Sequence, residues 1–173
     1  MCGIIGVAGK SVSTVDFSSH LEHLARRGPD NQQMLWVSPD CMMGATRLAM
    51  VDPHPRSNQP MVDKENGDVL TFNGEIYNYR ELRAELEGRG VHCRDSSESE
   101  VVINLYLEFG LDFINKINGM FAIAIHDARD NSLHLVRDRM GKKPLWISQL
   151  TDGTLYFASE VRAIMLTRPD RTL

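Results

Sequence analysis

Residues 120–125 read MFAIAI, an apolar run with no polar position to turn toward water. A strand that alternates apolar and polar residues can keep one face wet, whereas a continuous apolar run needs cover on both faces. ARDN, a hairpin signal, follows it, and then a second strand, SLHLVRD. KPLWISQL and TLYFAS repeat the arrangement around TDG. Upstream, IIGVAG, QQMLWV, CMMGATRLAMV and DVLTFNG read as strands, the second and third separated by the turn SPD. The chain therefore runs through strands, then helices, then a strand meander. That order predicts an α+β fold with stacked sheets and helices outside them, and not a repeating βαβ unit.

Four stretches carry helical spacing. In DFSSHLEHLARRG the apolar positions are Phe17, Leu21 and Leu24, and Gly28-Pro29 ends the helix. His20 and His23 lie three apart on it and read as surface histidines, with no evident third metal ligand. NYRELRAELEGRG offers Asn78 as cap with Glu81 three later, and SESEVVINLYLEFG offers Ser97 with Glu100, two capping boxes. SEVRAIML starts the last helix. DPHPRSNQPM has three prolines and reads as a long loop of the kind that often carries function. MGKKP reads as a turn with two solvated lysines.

At 173 residues the chain suits a single domain, 1–173. Its net charge of −4 is scattered, without a basic stripe for nucleic acid. No apolar stretch reaches the roughly 20 residues of a membrane span, and the N-terminus lacks a secretory leader. Cys2, Cys41 and Cys93 are odd in number and widely spaced, neither a disulfide framework nor a zinc pattern. The expectation is a reducing, cytoplasmic setting, with Cys41 and Cys93 ordinary core or surface residues.

Cys2 is the residue with most chemical promise. If the initiator methionine is removed, a thiol and a free α-amine share one residue. The amine, with an ordinary pKa of about 7.7–8.0, can take the thiol proton and later protonate a leaving amine. Acyl transfer also needs donors for an oxyanion. Asn73 and Gly74 supply an amide and an unobstructed N–H. As a bare pair they also read as a turn, although a helix and not a second strand follows. Arg47, among apolar neighbours in TRLAMV, is either an edge-exposed arginine or a carboxylate partner. Glu75 and Glu98 could hold an ammonium, and Glu98 would in any case be favourable in the first turn of a helix.

MCGIIGVAG, RRGPD, TRLAMVDP, NQPM, FNGEIYNYRELRAEL, SESEVV, NGMFAIAIHD, RDRMGKKPLW and FASEVRAI occur in this order over nearly the whole chain. Together they resemble the class II, N-terminal-nucleophile glutamine amidotransferase domain, and most of all the N-terminal half of glutamine-hydrolysing asparagine synthetases. The resemblance implies a four-layer αββα sandwich of two mostly antiparallel sheets. It implies Cys2 as nucleophile, Asn73 and Gly74 as oxyanion hole, Arg47 with the backbone from Leu48 to Val51 at the substrate α-carboxylate, and Glu75 at its α-amino group. The products would be glutamate and ammonia.

Two features depart from that family. Its members carry Ser-Asp-x-Glu where this chain has SESE, so Glu98 keeps the charge and reaches one methylene further. The Ser-Gly-Gly-x-Asp-Ser phosphate loop of the synthetase portion does not occur. The expectation is therefore no cofactor in this chain, with ATP and Mg belonging to a synthetase domain or separate partner that receives the ammonia. The alternative is a non-hydrolytic scaffold or glutamine-binding module supporting such a partner.

Overall fold

In the computed structural model, residues 1–10, 12, 16–50, 54–94 and 96–165 are described. Among the described residues, nine strands form two sheets in which every pair of neighbours is antiparallel. The first contains β1 (Gly3–Ala8), β2 (Asn31–Ser38), β3 (Cys41–Arg47), β8 (Trp146–Gln149) and β9 (Leu155–Ala158), in the order β2-β3-β1-β9-β8. The second contains β4 (Met61–Val62), β5 (Val69–Ile76), β6 (Gly119–Asp127) and β7 (Ser132–Arg137), in that order. Helices α1 (Phe17–Glu22) and α4 (Val161–Met165) cover the first sheet, and α2 (Tyr79–Gly88) and α3 (Glu98–Phe109) cover the second. This is the expected αββα sandwich.

Three apolar layers fill it. Ile5, Val7 and Met42 pack against Phe17, Leu21 and Ile164 outside the first sheet. Leu70, Phe72, Ile123 and Ile125 pack against Leu82, Val102 and Leu105 outside the second. Ile4, Met43 and Phe157 meet Val69, Ala122 and Ala124 between the sheets. The MFAIAI strand thus belongs to two layers at once: Ala122 and Ala124 face the other sheet while Phe121, Ile123 and Ile125 face the helices. The alanines let the sheets approach.

Several local expectations are corrected. Asn78 makes no cap hydrogen bond with its side chain. Its amide instead donates to the Lys116 carbonyl (2.9 Å) and accepts from the Asn118 N–H (2.9 Å), tying the start of α2 to the segment before β6. Ser97 does cap α3, accepting from the Glu100 N–H at 3.2 Å, but Glu100 reaches the Arg94 N–H at 2.7 Å. His20 is not a surface residue: it is buried, with Nδ1 2.7 Å from the Ala163 carbonyl and its ring stacked on Phe17 and Tyr156. The hydrogen on Nδ1 is therefore spent on α4. β3 ends at Arg47, four residues short of Val51, and β5 runs through Asn73-Gly74 without turning.

The MGKKP turn is organised by Asp138. Its carboxylate accepts from the N–H groups of Phe121 (3.2 Å), Met140 (3.1 Å), Lys142 (2.9 Å) and Lys143 (3.0 Å). Burial pushes this carboxyl up, but those donors outweigh it and hold it below the ordinary aspartate range. Only Lys142 of the two lysines is solvated; Lys143 is buried. We expect Asp138→Ala to cost about 2–4 kcal/mol, because it orphans several buried N–H groups at once. Urea denaturation at pH 7 measures this. A depressed carboxyl stabilises above its unfolded value, so the wild-type contribution is present above about pH 4 and is lost as pH falls through the lowered native value. An unchanged urea midpoint for the variant would mean that the turn stands without Asp138.

Candidate active site

Strand alternation explains why distant residues meet. Side chains on a strand point to opposite faces in turn. Ile4 lies between the sheets and Ile5 outside, so Cys2, two residues before Ile4, takes the inter-sheet side. On β3, Cys41 and Met43 lie between the sheets, and Arg47 has their parity. On β5, Val69 lies between the sheets, and Asn73 and Glu75 have its parity. All four residues therefore gather at one end of the sandwich interior, where the two sheets open.

The opening is a cleft of about 120 Å³. Cys2, Arg47, Leu48, Asn73, Gly74, Glu75 and Glu98 all line it. Every expected site residue within the described part of the chain is thus in one place; Val51 lies outside the described residues. Ser57, Gln59, Ser99 and Lys143 also line it, and sequence reasoning did not single them out. Gln59 had a weak signal as a polar residue inside a proline-rich loop. Lys143 had only its place before an apolar Pro-Leu-Trp.

The thiol end is anchored by two segments. The Cys2 carbonyl accepts from Arg27 Nε at 3.0 Å, and Arg27 Nη1 pairs with Glu160 at 3.3 Å. The Ile4 N–H donates to Ser159 Oγ (3.0 Å), and the Ser159 N–H donates to the Ile4 carbonyl (2.8 Å). RRGPD and FASE therefore hold the N-terminus in place. Gly28 allows the first of these to lie flat on β3, since a Cβ there would sit 2.3 Å from the Arg47 nitrogen. Cys41, in contrast, is a buried thiol pushed up to about 12, first by burial and then by Asp40, and is unsuited to act as a nucleophile.

The donor end is built by β5. Asn73 is 1 % exposed, and its Nδ2 has no hydrogen-bond partner among the described residues. A buried orphan donor is costly unless something else accepts from it. The backbone adds a second donor. The Phe121 N–H donates to the Asp138 carboxylate and the Phe121 carbonyl accepts from the Asp138 N–H, both on the far side from β5. Its partner Gly74 therefore directs its own N–H away from β6. The same edge of β5 has the Phe72 N–H on Gln59 Oε1 (2.5 Å), with Gly74 next along it at the cleft. A Cβ at Gly74 would lie 2.3 Å from the Met120 carbonyl oxygen, so only glycine lets β5 and β6 close here.

The charged end holds both signs. Arg47 is 6 % exposed and sits in an interior strand, which rules out the edge-exposed reading. Its Nη1 donates to the His54 carbonyl (3.1 Å) and to Asn58 Oδ1 (2.7 Å), fixing the guanidinium at the cleft wall. Gln59 Nε2 donates to Ser99 Oγ at 3.0 Å, fastening the same loop to α3. Glu98 is half-buried and pushed up to about 7. Burial is the main cause; the Ile76 N–H opposes it, and the neighbouring Glu75 charge adds to it. The cleft thus offers a thiol, two amide-type donors, a fixed cation and two carboxylates, a set matched to an amide substrate carrying an α-carboxylate and an α-ammonium.

The backbone is similar to that of a solved glutamine phosphoribosylpyrophosphate amidotransferase from B. subtilis, with a TM-score of 0.76 over 94% of this chain and 43% of that one, at 21% sequence identity. The fold is thus the one that this amidotransferase adopts. The glutamine amidotransferase domain family model matches residues 1–172, and the chain belongs to that family. Relatives include an asparagine synthetase [glutamine-hydrolyzing] 2 of Oryza sativa subsp. japonica, 37% identical over 168 residues, and an asparagine synthetase [glutamine-hydrolyzing] 3 of Arabidopsis thaliana, 38% identical over 171. Each match covers 95% of this chain and 28% of the relative, so the chain spans little more than a quarter of those proteins.

A carboxyl raised by folding binds more protons in the native state than in the unfolded chain. Stability from Glu98 is therefore full at low pH and falls as pH rises from the ordinary glutamate range through about 7. We expect Glu98→Gln, without glutamine, to melt close to wild type at pH 5 and several degrees above it at pH 8. A melting difference that does not change between these pH values would contradict the burial of this charge.

Proposed function

We propose that this domain hydrolyses L-glutamine to L-glutamate and ammonia, with Cys2 as an N-terminal nucleophile after removal of Met1. The observation that carries the reading is the orphaned Asn73 amide facing the same small cleft as the Cys2 thiol. A scaffold that only propped up a partner would have no use for that arrangement.

The mechanism follows from the charges and donors. The guanidinium of Arg47 takes the α-carboxylate of glutamine, with the backbone after Leu48 beside it, and Glu98 and Glu75 take the α-ammonium. The side-chain amide is left pointing at Cys2. The freed α-amine accepts the thiol proton as sulfur attacks the amide carbon. Negative charge develops on the amide oxygen and is met by Asn73 Nδ2 and the Gly74 N–H, both placed before the reaction begins. The ammonium formed on the Cys2 amine then protonates the leaving nitrogen, and ammonia departs from a thioester. Water, deprotonated by the same amine, attacks the thioester through a second oxyanion in the same hole. Glutamate leaves and the thiol regains its proton.

Among the relatives the printed activity is glutamine-hydrolysing asparagine synthesis. By that analogy the ammonia would go to an amide-forming synthetase site, on a further domain or a separate chain, and ATP and Mg would act there. A reactive thiol suits a reducing compartment, so we place the protein in the cytoplasm; no described helix is long and apolar enough to cross a membrane.

We expect Cys2→Ala to lower glutamate release at least about 10³-fold while leaving the melting temperature within a few degrees of wild type. Release at the wild-type rate would contradict the assignment. We also expect Glu98→Gln to raise KM for glutamine at least about tenfold with a smaller change in kcat, and wild-type KM to rise as pH falls below about 7, where Glu98 takes a proton. A KM that is flat from pH 6 to 8 would remove Glu98 from the ammonium site.

A further inference from the structure

Lys143 does not behave like a structural lysine. It is 6 % exposed, and among the described residues no ion pair involves it. Its ammonium donates to Met1 Sδ at 3.2 Å, a thioether and so a weak acceptor. A buried ammonium without a counter-charge is expensive, and a lysine would ordinarily swing its flexible stem toward water. Here the backbone is clamped at both ends. The Lys143 N–H is on Asp138 Oδ2 (3.0 Å), and its carbonyl accepts from Arg137 Nε (2.7 Å). The turn thus holds a desolvated cation against the first residue of the chain, in the cleft that Cys2 lines.

Resting on the N-terminal-nucleophile reading above, we propose that Lys143 is a positioning residue for the nucleophile. When Met1 is removed its thioether leaves, and the Lys143 ammonium faces the new α-amine of Cys2. Two cations in one partly desolvated cleft repel, so the amine is kept in its neutral form, the form that can take the thiol proton. The neutral amine therefore persists to lower pH, and the reactive state with it.

The other charges around Cys2 have separate duties. Arg27 contacts the Cys2 carbonyl and is paired with Glu160. Arg47 on β3 is matched to the substrate α-carboxylate. Glu75 on β5 and Glu98 at the start of α3 are matched to its α-ammonium. With glutamine bound, Arg47 faces its carboxylate and the two glutamates face its ammonium. Lys143 is left as the cation that acts on the amine.

The test separates the nucleophile from the ammonium site, because Glu98 titrates in the same range. In the processed chain, the rate of Cys2 alkylation by iodoacetamide is followed from pH 5.5 to 9.5 by mass, with peptide mapping to set aside Cys41 and Cys93. The pH dependence of kcat for glutamine hydrolysis is measured beside it. Iodoacetamide carries no ammonium and does not need Glu98. For Lys143→Met and Lys143→Gln we expect the acid limb of both profiles to move up by about one pH unit. That is a loss of up to about tenfold at pH 7 that disappears by pH 9, while Lys143→Arg keeps the wild-type limb. Lowered rates at every pH with an unmoved limb in either neutral variant would overturn the proposal and leave Lys143 a packing residue. If wild type itself keeps Met1 and releases no glutamate, the underlying hydrolase reading fails instead.

Discussion

The close approach of the two sheets at β1 and β5 is the constraint on which the rest depends. Ile4, Met43 and Phe157 on one side and Val69, Ala122 and Ala124 on the other set the spacing. The small side chains of β6 make it short. Because strands alternate, the layer that packs these apolar residues also orients Cys2, Arg47, Asn73 and Glu75 toward one another. The core and the site are two ends of the same interior. A register slip of one residue in β5 would turn Asn73 toward the helices and bring Phe72 to the thiol.

Much of this was legible in the sequence. The unbroken apolar run at 120–125 demanded cover on both sides, and the order of strands and helices excluded a parallel βαβ sheet. The site residues were legible as chemical types, since a second-position thiol, an Asn-Gly pair and an arginine among apolar neighbours are each unusual. What was not legible depends on contacts between distant segments. Asn-Gly has the local chemistry of a turn, yet β6 pairs with both residues and keeps the strand straight. Asn78 has the chemistry of a cap, yet the segment at 116–118 competes for its amide. His20 looked solvated because nothing local shows that α4 will pack over it. The burial of Lys143 follows from the Asp138 turn and from the arrival of the N-terminus beside it, and neither is encoded near residue 143.

The site trades stability for binding. Glu98 is held where its charge is disfavoured, half-buried and beside Glu75, although it starts a helix whose N-terminus would ordinarily welcome an acid. Lys143 is a cation held out of water, and Asn73 keeps a donor without an acceptor among the described residues. On the proposed glutaminase reading, an incoming amino acid with an ammonium, a carboxylate and an amide oxygen relieves the carboxylate and the donor, and matches Arg47 as well. Such preorganised charges and donors are the means by which a rigid cleft favours a transition state over water.

The central claim is that the mature chain begins at Cys2 and that this residue is the nucleophile. It is tested most directly by the intact mass of the purified protein before and after mixing with a diazo-ketone that mimics glutamine. We expect the initiator methionine to be absent, a single adduct to form at Cys2, and no adduct in Cys2→Ala. Retention of Met1, or an adduct that persists in that variant, would contradict it.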